Sequence, residues 1–106
     1  MLLSNTPEII GYTITQNVDL VSGNMVQSKH IGRDIMAGLK TIIGGEVAGY
    51  TEMLVEAREE ATARMIAQAK DKGANAVVNV RFTTSAIAQG MSELLVYGTA
   101  VVVEKV

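Results

Sequence analysis

The stretch "SELLVYGTAVVVEKV", residues 92–106, constrains this chain most, because it reads as a strand with two apolar faces. Successive side chains alternate across a strand. Leu95, Tyr97, Thr99, Val101 and Val103 therefore face one way, and Leu94, Val96, Gly98, Ala100 and Val102 the other. An antiparallel sheet with helices on one side ordinarily leaves its second face polar. Here the second face needs cover as well, and another subunit is a natural source. Gly98 marks a bulge or a close backbone contact.

The rest of the chain supplies the partners of that strand. In "NAVVNVRFTT", Ala76, Val78, Val80 and Phe82 share one face, and Val77, Asn79, Arg81 and Thr83 the other. Near the start, "EIIGYTIT" and "VDLVSG" read as two strands, with Ile10, Tyr12 and Ile14 alternating against Gly11, Thr13 and Thr15. Ser22-Gly23-Asn24 carries a turn signal.

Between these strands the period changes to that of helices. From the N-cap candidate Ser28, Ile31, Ile35, Leu39 and Ile42 form one apolar face, and Gly44 fits the position just past a helix end. A longer helix starts near Tyr50 or Thr51 and ends at Gly73. Leu54, Ala57, Ala61, Met65 and Ala69 are its inner stripe, extended by Tyr50 and Met53. Alanine dominates that stripe, so the helix can lie close to a sheet. Glu60 and Arg64 form an i, i+4 pair. The order of strands, two helices and two strands predicts a single α+β domain over residues 1–106, an antiparallel sheet packed by two helices.

Composition narrows function mostly by exclusion. Of 106 residues, 48% are hydrophobic, a high share for a chain with so much surface per volume, which points to an oligomer interface. Acidic residues number 11 against 9 scattered basic ones, which is no footprint for nucleic acid. With no cysteine, thiolate catalysis and cysteine-based zinc sites are closed to this chain. Pro7 and Glu8 interrupt an N-terminus without a basic region, which argues against a signal peptide. No apolar run approaches the ~18 residues of a membrane span. The expectation is a cytoplasmic protein with no nucleic-acid or membrane partner.

Two groups of residues could carry chemistry. Glu52, Glu56 and Glu59 or Glu60 lie at helical spacing on roughly one face. Carboxylates four apart can share a hard cation such as Mg²⁺, Ca²⁺ or Mn²⁺. They also suit the positive N-terminal half of a helix with no metal at all. His30 is the lone histidine, and Glu46 follows Gly44-Gly45. Together Glu46, Glu52, Glu56 and His30 are the metal candidates. Neither a phosphate-loop pattern nor a nucleophile with its base is present, so no catalytic residue is assigned.

The stretches "VSGN", "HIGRDIMAGLKTIIGGE", "GYTEMLVEAREEA", "AKDKGANAVVNVRF" and "YGTAVVVE" resemble the YbjQ-like family, small bacterial and archaeal proteins that carry a heavy-metal-binding label. Gly44, Gly45, Glu46, Tyr50, Ala57, Arg58 and Gly73 are the more specific points of likeness, with structural roles expected. The resemblance implies a dodecin-like subunit in a ring-shaped homo-oligomer, a pentamer whose strands cooperate between subunits. It implies heavy-metal or divalent-cation binding without catalysis. The alternatives are a small-ligand carrier and a purely structural ring. Family members commonly carry an acidic residue where this chain has Asn24, and some a cysteine near Val18.

Overall fold

The structure is a computed structural model that describes residues 1–28, 48–89 and 91–106, and of Ser28 and residues 48–50 the backbone alone. The elements run β1 (Leu2–Leu3), β2 (Tyr12–Ser28), α1 (Ala48–Asp71), β3 (Ala76–Ala88) and β4 (Met91–Lys105). They form one four-stranded sheet in the order β1-β3-β4-β2. β4 pairs antiparallel with β2 and β3, and β1 pairs parallel with β3. The sheet is thus mixed rather than purely antiparallel, because the chain start runs back beside β3. One helix lies among the described residues. Ser28, the expected N-cap of a helix running to Gly44, is the last residue of β2, and the rest of that expected helix falls outside the described residues.

The long helix forms for the reasons its pattern suggests. Ala57, Ala61, Met65 and Ala69 are fully buried on one stripe, whereas Leu54 at its upper end stays 41% exposed. Its end is a Schellman motif. Gly73 has φ +85°, its N–H donates to the Lys70 carbonyl at 3.0 Å, and the Ala74 N–H donates to the Ala69 carbonyl at 3.0 Å. A glycine accepts that left-handed conformation without a Cβ penalty. Asn75 then leads into β3, its side-chain amide donating to the Val103 carbonyl and accepting from the Val103 N–H.

β2 departs from expectation. The chain does not turn at Ser22-Gly23-Asn24 but runs straight through it as one 17-residue strand. Gly23 is present because α1 crosses there: a Cβ on it would overlap the Ala61 carbonyl oxygen and sit 2.6 Å from the Met65 backbone nitrogen. The turn lies earlier, at residues 9–12, where the Tyr12 N–H donates to the Ile9 carbonyl and Gly11 has φ +87°, the third-position geometry of a type II turn. Ile10 stands on its corner, 99% exposed, and Ile9 takes the inward place assigned to it.

Register shifts re-phase the strands. Register shifts between Ile14 and Gln16 and between Asn17 and Asp19 turn Val18 and Val21 toward the helix while Tyr12 and Ile14 face away. On β3, Asn79 at φ +54° breaks the alternation between Val78 and Arg81. Ala76 and Val78 pack on the face away from the helix, but Val80 joins Val77 on the helix face. The expected set of Ala76, Val78, Val80 and Phe82 is therefore split. Gly98 of β4 lies opposite this bulge, and a Cβ there would meet Val77 Cγ1 at 2.7 Å. The alternation assigned to β4 holds, with Val96 and Ala100 in the core under the helix and Val101 and Val103 in the core on the other side.

Cover for the second face comes partly from the chain itself. Residues 4–6 bond to the outer edge of β3: the Val80 N–H donates to the Ser4 carbonyl and the Asn79 N–H to the Thr6 carbonyl. The segment then passes to β2 at the opposite edge, and Ile9, Tyr12 and Ile14 close over Ala76, Val78, Val101 and Val103. Farther along the same face, Leu20 is 69% exposed and Tyr97 38%.

Candidate functional site

The acidic face of α1 is laid out as its spacing suggests, and it stands in solvent. Glu52, Glu56, Glu59 and Glu60 are all exposed. Glu60 is held by Arg64 at 3.1 Å, a pair contributing about 0.3–0.5 kcal/mol at such exposure. Among the described residues no three Asp, Glu or His side chains converge as a metal cage. His30, Gly44, Gly45 and Glu46 lie outside the described residues, as does the side chain of Tyr50. Ala57 is in the inner stripe and Gly73 in the helix cap, both structural. Arg58 and Glu59 flank an open groove floored by Ile66 and Phe82.

A second row on α1 was missed by sequence reasoning. Arg64, Gln68 and Lys72 follow one another at four-residue steps, so they stack on one face. Each reaches β2, and they do so in reverse order because helix and strand run antiparallel. Arg64 Nη1 donates to the Asn24 carbonyl at 2.6 Å, Gln68 Oε1 accepts from the Ser22 N–H at 2.8 Å, and Lys72 Nζ bonds Asp19 Oδ2 at 3.0 Å. The Arg64 and Gln68 contacts occupy outward-pointing backbone groups of an edge strand, which would otherwise be a template for another strand, and Lys72 holds a side chain of the same strand. The signal was available: three polar residues, each three positions beyond a buried Ala61, Met65 or Ala69.

Among the described residues, Asp19 has a carboxyl clearly shifted by its partners. The hydrogen bond from Lys72, aided by one from the Leu20 N–H, holds its carboxyl below the ordinary value of 3.8. A carboxylate depressed in the folded state contributes stability above its unfolded pKa and loses it as pH falls through the folded pKa. The contact will therefore persist at neutral pH and open below pH 3.8. Lys72→Met should raise the Asp19 titration midpoint, read from its carboxyl carbon shift by NMR. An unchanged midpoint would mean that Lys72 does not set it.

Asn24 is committed too. Its Nδ2 donates to Glu93 Oε2 at 2.9 Å across β4. A carboxylate at this position would face Glu93 and repel it, so the amide suits its surroundings. Beyond the acidic face lies a cavity of about 420 Å³ between the end of β2 and the first half of the helix, lined by Met25, Gln27, Met53, Glu56, Ala57 and Arg64 among others. Gln27 lines it, but its Nε2 is buried away from the open space and has no hydrogen-bond partner.

This architecture, a helix stitched along the edge of a mixed four-stranded sheet, defines a small two-layer α+β protein. The YbjQ family model, described as "Putative heavy-metal-binding", matches residues 1–104, and the chain belongs to that family. It is 66% identical over 101 residues to a UPF0145 protein of Photobacterium profundum, covering 95% of this chain and 98% of the relative. A UPF0145 protein of Psychromonas ingrahamii is 60% identical over 105 residues, 99% of this chain and all of the relative. A crystal structure of a DUF74-family protein of unknown function from Pediococcus pentosaceus has the same fold, with TM-score 0.63, 16% identity and 98% coverage of both chains. None of these descriptions names a catalytic activity. No described helix is long and apolar enough to cross a membrane.

Proposed function

We propose that this YbjQ-family chain is a non-catalytic subunit of a dodecin-like ring homo-oligomer, a pentamer, which works in the cytoplasm and binds a divalent cation. The observation that carries the assembly reading is the uncovered half of the sheet's second face, where Leu20 and Tyr97 lie open. A face of this kind on a small chain marks an interaction surface. Strand contact between copies has a place as well. The edge of β2 is stitched by Arg64, Gln68 and Lys72, but the edge of β3 beyond Arg81 has no strand neighbour among the described residues.

The cation reading rests on Glu52 and Glu56, four apart and exposed on one helix face, with Glu46 and His30 as further candidates. Oxygen ligands from one chain are too few for Ca²⁺ or Mg²⁺, which take six or more. Copies meeting in a ring would supply the rest. Native mass spectrometry before and after chelation tests both parts. A pentamer carrying a stoichiometric ion is expected, and Glu52→Gln with Glu56→Gln should lower the ion's affinity at least tenfold while leaving the ring intact. A monomer at micromolar concentration would remove the assembly reading. Unchanged affinity in the double variant would remove the site assignment.

A further inference from the structure

We infer that the groove between α1 and β3 is the socket of the ring, and that the open face around Leu20 and Tyr97 of the next copy seats in it. The inference rests on the ring reading and deepens it, because it names the second surface that a ring needs.

A ring closes through a heterologous contact, in which one surface of each copy meets a different surface of the next. The face around Leu20 and Tyr97 supplies the first. The second should be apolar, lie on another side of the subunit and carry balanced charge. Helix α1 is stitched to β2 at one edge of the sheet, so it leaves the helix side of β3 bare toward the other edge. There Ala63, Ile66 and Phe82 floor an open groove of about 390 Å³, with Phe82 49% exposed. Phe82 pairs with Val96 of the core under the helix, whereas its neighbour Arg81 pairs with Tyr97. Phe82 and Tyr97 therefore point to opposite sides of one sheet. Arg58 and Glu59 place one charge of each sign at the groove. Arg81, opposite Tyr97, and Glu93, four residues before it on β4, do the same for the other face.

The exposed area is of the right size for such a contact. The chain exposes 6904 Å², whereas a folded monomer of 11.3 kDa exposes about 5,700 Å². A specific interface takes about 800 Å² from each partner. The surplus, about 1,200 Å², exceeds one such share.

Leu20→Arg and Ala63→Arg test the contact, one on each surface. Both positions are exposed, so each variant should keep its fold, read by far-UV circular dichroism. By native mass spectrometry at micromolar concentration, each variant alone should be a monomer. Mixed in equal amounts they should give a one-to-one heterodimer and nothing larger. The sound groove of the Leu20→Arg copy accepts the sound face of the Ala63→Arg copy, and the other pair of surfaces is blocked. Should either variant fail to fold, cysteines replace the arginines, since the chain has none of its own. Leu20→Cys and Ala63→Cys copies, assembled together, should be joined by a short bismaleimide, and rings of either variant alone should stay unlinked. A ring that survives Ala63→Arg would overturn the inference, and if that variant lost stability to urea the groove would be filled by the same chain instead. Absence of both the heterodimer and the cross-link would overturn it too. A wild-type monomer would remove the ring and this contact together, whereas a wild-type ring with an intact Ala63→Arg ring removes this contact alone.

Discussion

Gly23→Ala is expected to cost the fold about 3 kcal/mol or more, at or above the upper end for overpacking. The added methyl meets backbone, not a side chain that can rotate away: it would overlap the Ala61 carbonyl oxygen and lie 2.6 Å from the Met65 nitrogen. To admit it, the helix must lift from β2. That would loosen Val21, Met65 and Val96 together and lengthen the bonds from Arg64 and Gln68 to the strand. Gly73→Ala is the control. That glycine has φ +85° but open space around it, so alanine there carries backbone strain alone, about 1–2 kcal/mol. Urea unfolding followed by far-UV circular dichroism compares the two. If Gly23 served only a turn, its alanine variant would be the milder one, and that outcome would reject helix contact as its reason.

The contrast shows which parts of this fold could be read from sequence. Local rules worked where one element decides a residue's place. Gly73 caps the helix because only the last turn matters, and Ala57, Ala61, Met65 and Ala69 are buried because the helical period sets them on one stripe. Gly23 failed because a glycine among polar neighbours signals a turn and a close packing contact in the same way. Nothing local distinguishes a helix backbone lying 38 or more residues later in the chain. Asn79 failed because a left-handed conformation is rare outside glycine, so strict alternation was carried through a bulge. The crossing of residues 4–11 beneath the sheet was equally hidden, and with it one source of cover for the two-faced strand. At the candidate site, the row of glutamates was legible as a helix face. The cavity beside it was not, since its walls come from residues 25–27 and 53–64, which only the fold brings together.

Met65→Ala should destabilise the protein by about 3–5 kcal/mol, toward the high end for removing a large buried side chain. The reason lies in its neighbours. Met65 is fully buried and, among the described residues, is the largest side chain in that state, in one cluster with Ala61, Ala69, Ala100, Val21, Val77 and Val96. Those buried side chains are too short to fill the space that it would vacate, and Met25, the one long side chain packed on the cluster among the described residues, sits only at its margin. The helix cannot settle inward either, because its backbone already touches β2 at Gly23. Transfer and cavity costs therefore add almost without relaxation. For a domain of this size the loss corresponds to a fall in Tm of roughly 12–40 °C. Met65→Leu, which nearly conserves volume, should cost less than about 1.5 kcal/mol. Thermal and urea unfolding of both variants decide the matter. A loss below 1 kcal/mol for Met65→Ala would show that the helix can close on the strand after all, and the reading of Gly23 as a rigid contact would fall with it.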